Sequence, residues 1–258
     1  MKFETILEQQ IPKIGLGTWQ MRGESCRKEV LQALELGYRH LDTAEYYRNE
    51  TEVGLAVRES GLPRDDLFIT SKVWSNHYQR KAVVQACEDS LRRLDLDYLD
   101  LYLIHHPSDD VPLEETLAGM EDLVQAGKTR FIGVSNFSVD LLARSRELVA
   151  VPILTNQVKY HPFYPQDDLL KYCQEKQILL TAYTPLDKGR VQGDDTLKTI
   201  GEKYGKTAAQ VTLRWLVQQP MVITIPKASS RLHQQENLEV FDFQLTDQEM
   251  ERIENLVS

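Results

Sequence analysis

A (β/α)8 barrel of the α/β class, with an N-terminal β-hairpin at its floor, is the fold this sequence predicts. Eight short runs rich in β-branched residues alternate with amphipathic helical stretches, the pattern of successive parallel βαβ units. The chain has 258 residues, close to the ~250 typical of one such barrel. Most of the runs also end in polar residues, always at the C-terminal end, where such barrels carry their active sites.

The elements follow in order. MKFETILEQQIPKIG reads as a small hairpin before the first barrel strand, plugging the floor. The strands are expected at Ile14–Trp19, Tyr38–Thr43, Leu67–Lys72, Leu99–His105, Arg130–Val134, Ile153–Val158, Ile178–Tyr183 and Val222–Pro226. Between them, Lys81–Leu94 carries Val84, Cys87, Leu91 and Leu94 on one helical stripe, and Leu113–Gln125 carries Leu113, Leu117, Met120 and Val124. Gly37, Gly61 and Gly127 follow apolar helical segments as C-terminal caps do, and Thr207 precedes one as an N-cap does. No composition break suggests a linker, so residues 1–258 read as one domain.

Composition narrows the function. Thirty basic against 39 acidic side chains give a net charge of −9, which disfavours global attraction to nucleic acid or an anionic membrane. An anionic ligand would need a local basic cluster. No run of 18 apolar residues marks a membrane span, and MKFETILEQQ lacks the apolar core of a signal peptide. Cys26, Cys87 and Cys173 are odd in number and widely spaced, which suits a reducing cytoplasm better than a disulfide framework or zinc site.

The polar strand ends carry the chemistry. LDT at 41–43, ITSK at 69–72 and LIHH at 103–106 bring Asp42, Lys72 and His105 to one face, with Tyr47 five residues beyond Asp42. A lysine cation near a phenol favours phenolate, so Lys72 is expected to lower the Tyr47 pKa and make it a usable general acid. His105 could hydrogen-bond a substrate carbonyl. Bland readings stand beside these. Asp42–Lys72 could be a structural ion pair, Tyr47 beside Tyr46 an aromatic wall, and His105 with His106 a metal pair. Neighbouring residues on a regular strand face opposite sides, which argues against the metal pair.

These residues lie in segments that resemble the aldo-keto reductases. The segments are IGLGTW (14–19), LDTAEYYRNE (41–50), FITSKVW (68–74), LYLIHHP (101–107), FIGVSNF (131–137), TNQVKYHP (155–162), TAYTPL (181–186) and ITIPKASS…ENL (223–238). They cover essentially the whole chain, and the bacterial branch with 2,5-diketo-D-gluconate reductases is the most similar. The resemblance implies NADPH-dependent reduction of small aldehydes, ketones or dicarbonyls by a monomer, with no metal. It assigns Asp42, Tyr47, Lys72 and His105 as the catalytic tetrad, and Ser135, Asn136 and Gln157 to the nicotinamide carboxamide. Tyr183 would stack on the nicotinamide ring. Gly17, Thr18, Trp19 and Asp42 complete that end. Trp19, Tyr47, Trp74, His105 and His106 would wall the substrate. Thr184, Leu186 and Lys188, then Lys227, Ser229, Ser230, Arg231 and His233, would follow the phosphates, and Glu236 and Asn237 the adenine.

Three departures from the family pattern are legible. His233 stands where many members have an arginine for the 2′-phosphate, and Ala228 where a serine is usual. An imidazole is mostly neutral at pH 7, so use of NADH beside NADPH is expected. His106 replaces a common tryptophan. The sequence stops at Ser258, where relatives continue into a tail over the substrate pocket, so an open site is expected. Two other readings remain: a nicotinamide-binding regulatory subunit with little turnover, and a metal-dependent barrel hydrolase.

Overall fold

The computed structural model describes residues 2–257. An antiparallel hairpin of β1 (Phe3–Ile6) and β2 (Gln9–Pro12) opens the chain. Eight parallel strands follow: β3 (Leu16–Gly17), β4 (His40–Asp42), β5 (Phe68–Val73), β6 (Leu99–Ile104), β7 (Thr129–Ser135), β8 (Ile153–Lys159), β9 (Leu179–Tyr183) and β10 (Val222–Thr224). Each pairs with the next in sequence. The ring closes where Gly15 N donates to Thr224 O and Thr224 N to Lys13 O, both at 2.9 Å. Gly17 permits this closure: a Cβ there would stand 2.6 Å from the carbonyl oxygen of Ile225.

The predicted strands are found within a few residues. The first is the shortest, because its ladder with β4 begins only at Leu16 and Ile14 makes a single bridge to Thr224. The hairpin does sit at the floor. Ile6 and Ile11 pack with Phe68, Leu101, Leu154, Leu179 and Met221 in the barrel interior. Burying each such side chain contributes about 1.5–3 kcal/mol.

Ten helices surround the strands among the described residues: α1 (Gly23–Leu36), α2 (Glu50–Glu59), α3 (Arg80–Leu94), α4 (Leu113–Gln125), α5 (Val139–Leu148), α6 (Asp167–Lys176), α7 (Asp195–Tyr204), α8 (Ala208–Gln218), α9 (Arg231–Leu238) and α10 (Asp247–Glu254). Gly37 caps α1 in the left-handed region at φ 107°, which glycine adopts without a Cβ clash. Thr207 and Gln210 form a capping box at α8. The buried stripe of α3 runs through Val83, Cys87, Leu91 and Leu94, with Val84 at its edge rather than on it. In α4, Leu117, Met120 and Leu123 are buried, and Leu113 and Val124 flank them. Gln234 of α9 closes the helical layer, donating to the Glu29 carbonyl of α1 at 2.9 Å. The three cysteines are buried and free. No described helix is long and apolar enough to cross a membrane.

Candidate active site

The C-terminal ends of the strands open into a groove of about 1060 Å³. At its centre lies Lys72, fully buried on β5. Its Nζ donates to Asp42 Oδ1 at 2.5 Å, the Thr43 carbonyl at 2.8 Å and Tyr47 Oη at 3.3 Å. Asp42 ends β4, and Tyr47 follows in the 3-10 turn Glu45–Tyr47. Adjacent parallel strands thus place a carboxylate, an ammonium and a phenol in one row. Burial alone would depress the ammonium of Lys72, but Asp42 and Tyr47 outweigh it and hold its pKa above the ordinary value.

The expectation for Tyr47 needs correction. Burial raises its pKa, Lys72 offsets only part of that rise, and Asp42 adds to it. The phenol is therefore held protonated, because desolvation of a phenolate outweighs one partly neutralised cation.

The argument from strand alternation at His105 and His106 also fails. Strand β6 ends at Ile104, so neither residue is in the ladder. Both imidazoles line the groove, stacked with centroids 4.8 Å apart and planes 7° apart. Burial, then the Lys72 cation and His106, push His105 down to about 2, and its Nδ1 is buried without a partner. Burial, then Lys72, also lowers His106. No group of three or more His, Cys, Asp or Glu among the described residues could hold a metal ion.

An aromatic wall faces these imidazoles. Tyr46, which the sequence offers with Tyr47 as an aromatic wall, lies between Trp19 (5.7 Å, 15°) and Trp74 (4.0 Å, 16°) in a three-ring stack. Glu45 braces it, accepting from the Trp74 amide and lying 3.2 Å from His77 Nδ1. The 3-10 turn is what lets the adjacent Tyr46 and Tyr47 reach one cavity.

The opposite side of the mouth is amide-rich. Gln157 of β8 donates from Nε2 to Asp42 Oδ2 at 2.8 Å, which leaves its amide oxygen to offer a ligand. Ser135 Oγ donates to the Gln157 carbonyl at 2.8 Å. Asn136 has a left-handed backbone (φ 64°) and accepts from Tyr183 Oη at 2.9 Å. Gly17, Trp19, Asp42, Thr184, Leu186, Lys188, Lys227, His233, Glu236 and Asn237 also line the groove. Thr18 lies beneath it, its hydroxyl donating to the Asp42 carbonyl at 2.9 Å. Ser229, Ser230 and Arg231 are exposed and stand outside the lining. Ser230 caps α9, and Arg231 faces Glu35 at 3.4 Å.

Further lining residues come from helices rather than strand ends: Lys198 and Glu202 of α7 and Ala208, Ala209 and Gln210 of α8. No strand-end motif pointed to them. The segment over this part, the turn Asp187–Gly193, is tied back at its first residue. The Asp187 carboxylate lies 3.5 Å from His161 Nε2, 3.6 Å from Arg190 and 3.9 Å from Lys159.

A dinucleotide fits this donor set. The groove runs from the tetrad to α9, whose N-terminus favours anions. At its far end Glu236 and Asn237 line the groove, a carboxylate and an amide suited to the polar edge of a base.

Comparison with known proteins points one way. The model of the Aldo/keto reductase family matches residues 13–258. Glyoxal reductase of Bacillus subtilis (strain 168) is 42% identical over 248 residues, covering 96% of this chain and 89% of that protein. NADP-dependent D-sorbitol-6-phosphate dehydrogenase of Malus domestica is 36% identical, with 95% and 90% covered. A solved structure provisionally assigned as a 2,5-diketo-D-gluconic acid reductase B superposes with TM-score 0.97 at 42% identity, covering 99% of this chain and 92% of that one. A Bombyx mori aldo-keto reductase in complex with NADP gives TM-score 0.92 at 34% identity, with 98% and 91% covered.

Proposed function

Because the chain belongs to the aldo/keto reductase family, we propose that it reduces small aldehydes, ketones or dicarbonyls with a nicotinamide cofactor, using Tyr47 as proton donor. One observation carries the reading: the Lys72 ammonium bridges Asp42 and the Tyr47 hydroxyl at the groove floor. The name of the Bacillus relative brings vicinal dicarbonyls into the substrate range. The complex of the Bombyx relative favours NADP.

Ser135, Asn136, Gln157 and Tyr183 would hold the nicotinamide, and Lys227, His233, Glu236 and Asn237 the adenosine end. A nicotinamide held there would be the source of the hydride for the carbonyl carbon. Tyr47 gives its proton to the carbonyl oxygen. As that proton leaves, Lys72 stabilises the phenolate, and Asp42 fixes the ammonium. His105 stays neutral and orients the carbonyl without competing as an acid. Trp19, Trp74 and His106 wall the substrate.

The test is NADPH and NADH consumption, followed by near-ultraviolet absorbance, over a panel of carbonyls. Tyr47→Phe should lower turnover by at least the ~10²–10⁴ typical of general acid catalysis while cofactor affinity changes little. Near-normal turnover in that variant would sink the assignment. Cofactor binding with no turnover on any carbonyl would favour a regulatory subunit. We further propose a single-domain cytoplasmic monomer; the three free, buried cysteines suit the reducing compartment.

A further inference from the structure

His106 makes a contact that the mechanism above does not use. Asn136 Nδ2 lies 2.9 Å from His106 Nδ1. The same Nδ2 lies 3.2 Å from the His105 carbonyl oxygen and 3.0 Å from Ser135 Oγ, and Asn136 Oδ1 accepts from Tyr183. A carbonyl oxygen can only accept, so the atom beside it must be the amide nitrogen. His106 Nδ1 therefore accepts as well. A neutral imidazole that accepts at Nδ1 carries its proton at Nε2. The contact with Asn136 thus fixes His106 as an Nε2–H donor.

The ring is also fixed in place. It is stacked on His105, and Trp74 meets its edge at 5.4 Å. His105 and His106 stand side by side on the cavity wall, one beside Tyr47 (5.6 Å between centroids) and the other a ring further out. The groove around them is lined by Trp19, Tyr46, Tyr47 and Trp74, with no charged side chain in that set. This end offers neutral donors and aromatic faces, and the Lys72 ammonium behind Tyr47 is buried and already paired with Asp42.

We propose that His106 is a specificity-determining residue: its Nε2–H, set by Asn136, binds a second oxygen adjacent to the carbonyl that His105 and Tyr47 engage. The substrates it favours are vicinal dicarbonyls and α-hydroxy carbonyls, in which two oxygens sit on neighbouring carbons as the two rings sit side by side. This inference rests on the carbonyl-reductase reading of the same site. A second oxygen left facing an aromatic ring instead of a donor loses more than a missing methylene does, which is why one donor can discriminate.

A matched pair of substrates, 2,3-butanedione and 2-butanone, isolates the effect in the holoenzyme. The readout is the ratio of their kcat/KM values in the wild type, His106→Phe and His106→Gln. Phenylalanine keeps a ring and removes both nitrogens; glutamine places an amide N–H near the position of Nε2. Loosening of Asn136 acts on both substrates alike and cancels in the ratio. The dione-to-ketone ratio should fall by about tenfold in His106→Phe, the size of one lost hydrogen bond, and recover in part in His106→Gln. An unchanged ratio in His106→Phe, or a glutamine variant no better than phenylalanine, overturns the role of His106. A wild type that reduces neither substrate with either cofactor overturns the carbonyl-reductase reading instead.

Discussion

Tyr47 shows how far a single side chain can be read from its neighbours in sequence. Its nearness to Lys72 and Asp42 was legible from strand order alone. The sign of its acidity was not, because burial depends on Trp19 and His105, which close over the ring at 4.9 and 5.6 Å. The consequence is measurable. A raised Tyr47 pKa keeps the proton donor loaded through neutral pH, so the reduction rate should stay flat until above pH 10. Lys72→Met removes the one group that lowers this pKa, so it should cut the rate and move the alkaline limb still higher. A pH–rate profile with its alkaline limb near neutrality, or one unmoved in Lys72→Met, would contradict this account. His105, held near 2, should contribute no acid limb above pH 4.

At the scale of elements, the βα rhythm and the polar strand ends were enough to find β3–β10 and most of the groove mouth. The wall built by α7, α8 and, Lys188 apart, the turn Asp187–Gly193 was not legible. Its residues come together through the crossover after β9, and Asp187 finds His161 and Lys159 from a different strand segment. The start of α9 belongs to the same class. Sequence order puts Arg231 and His233 equally near the expected phosphate site, yet the helix turns Arg231 toward Glu35 and His233 toward the groove. An arginine binds phosphate oxygens in pairs where an imidazole cannot. His233→Arg should therefore tighten NADPH by about tenfold or more, the size of one charge-assisted contact, and leave NADH nearly unchanged. Binding titrations with the two cofactors decide it; equal effects would show that His233 does not face the 2′-phosphate.

For the whole molecule, acid is the condition to test. His40 is buried in the barrel, 3.3 Å from Thr70 Oγ1, and burial pushes it down to about 4. Above pH 6.5 it is neutral in both folded and unfolded chains and contributes nothing. As pH falls from 6.5 to 4, only the unfolded chain takes the proton, so folding loses up to about 3 kcal/mol. Denaturant titrations at pH 7 and pH 4 should show that loss, and His40→Gln should reduce it; the same slope in both proteins would rule His40 out. One hydrogen bond described above reaches across the whole barrel mouth. Gln157 of β8 and Asp42 of β4 stand on opposite sides of the ring, joined at 2.8 Å. Asp42 thus has one oxygen on the Lys72 ammonium and the other on Gln157, the proposed nicotinamide contact. Occupancy at Gln157 and acidity at Tyr47 then become two readings of a single coupling free energy, which must be reciprocal. Whatever shift cofactor binding makes in the Tyr47 titration, the Tyr47 titration must return to cofactor affinity in equal measure, and Gln157→Leu should change both by the same amount.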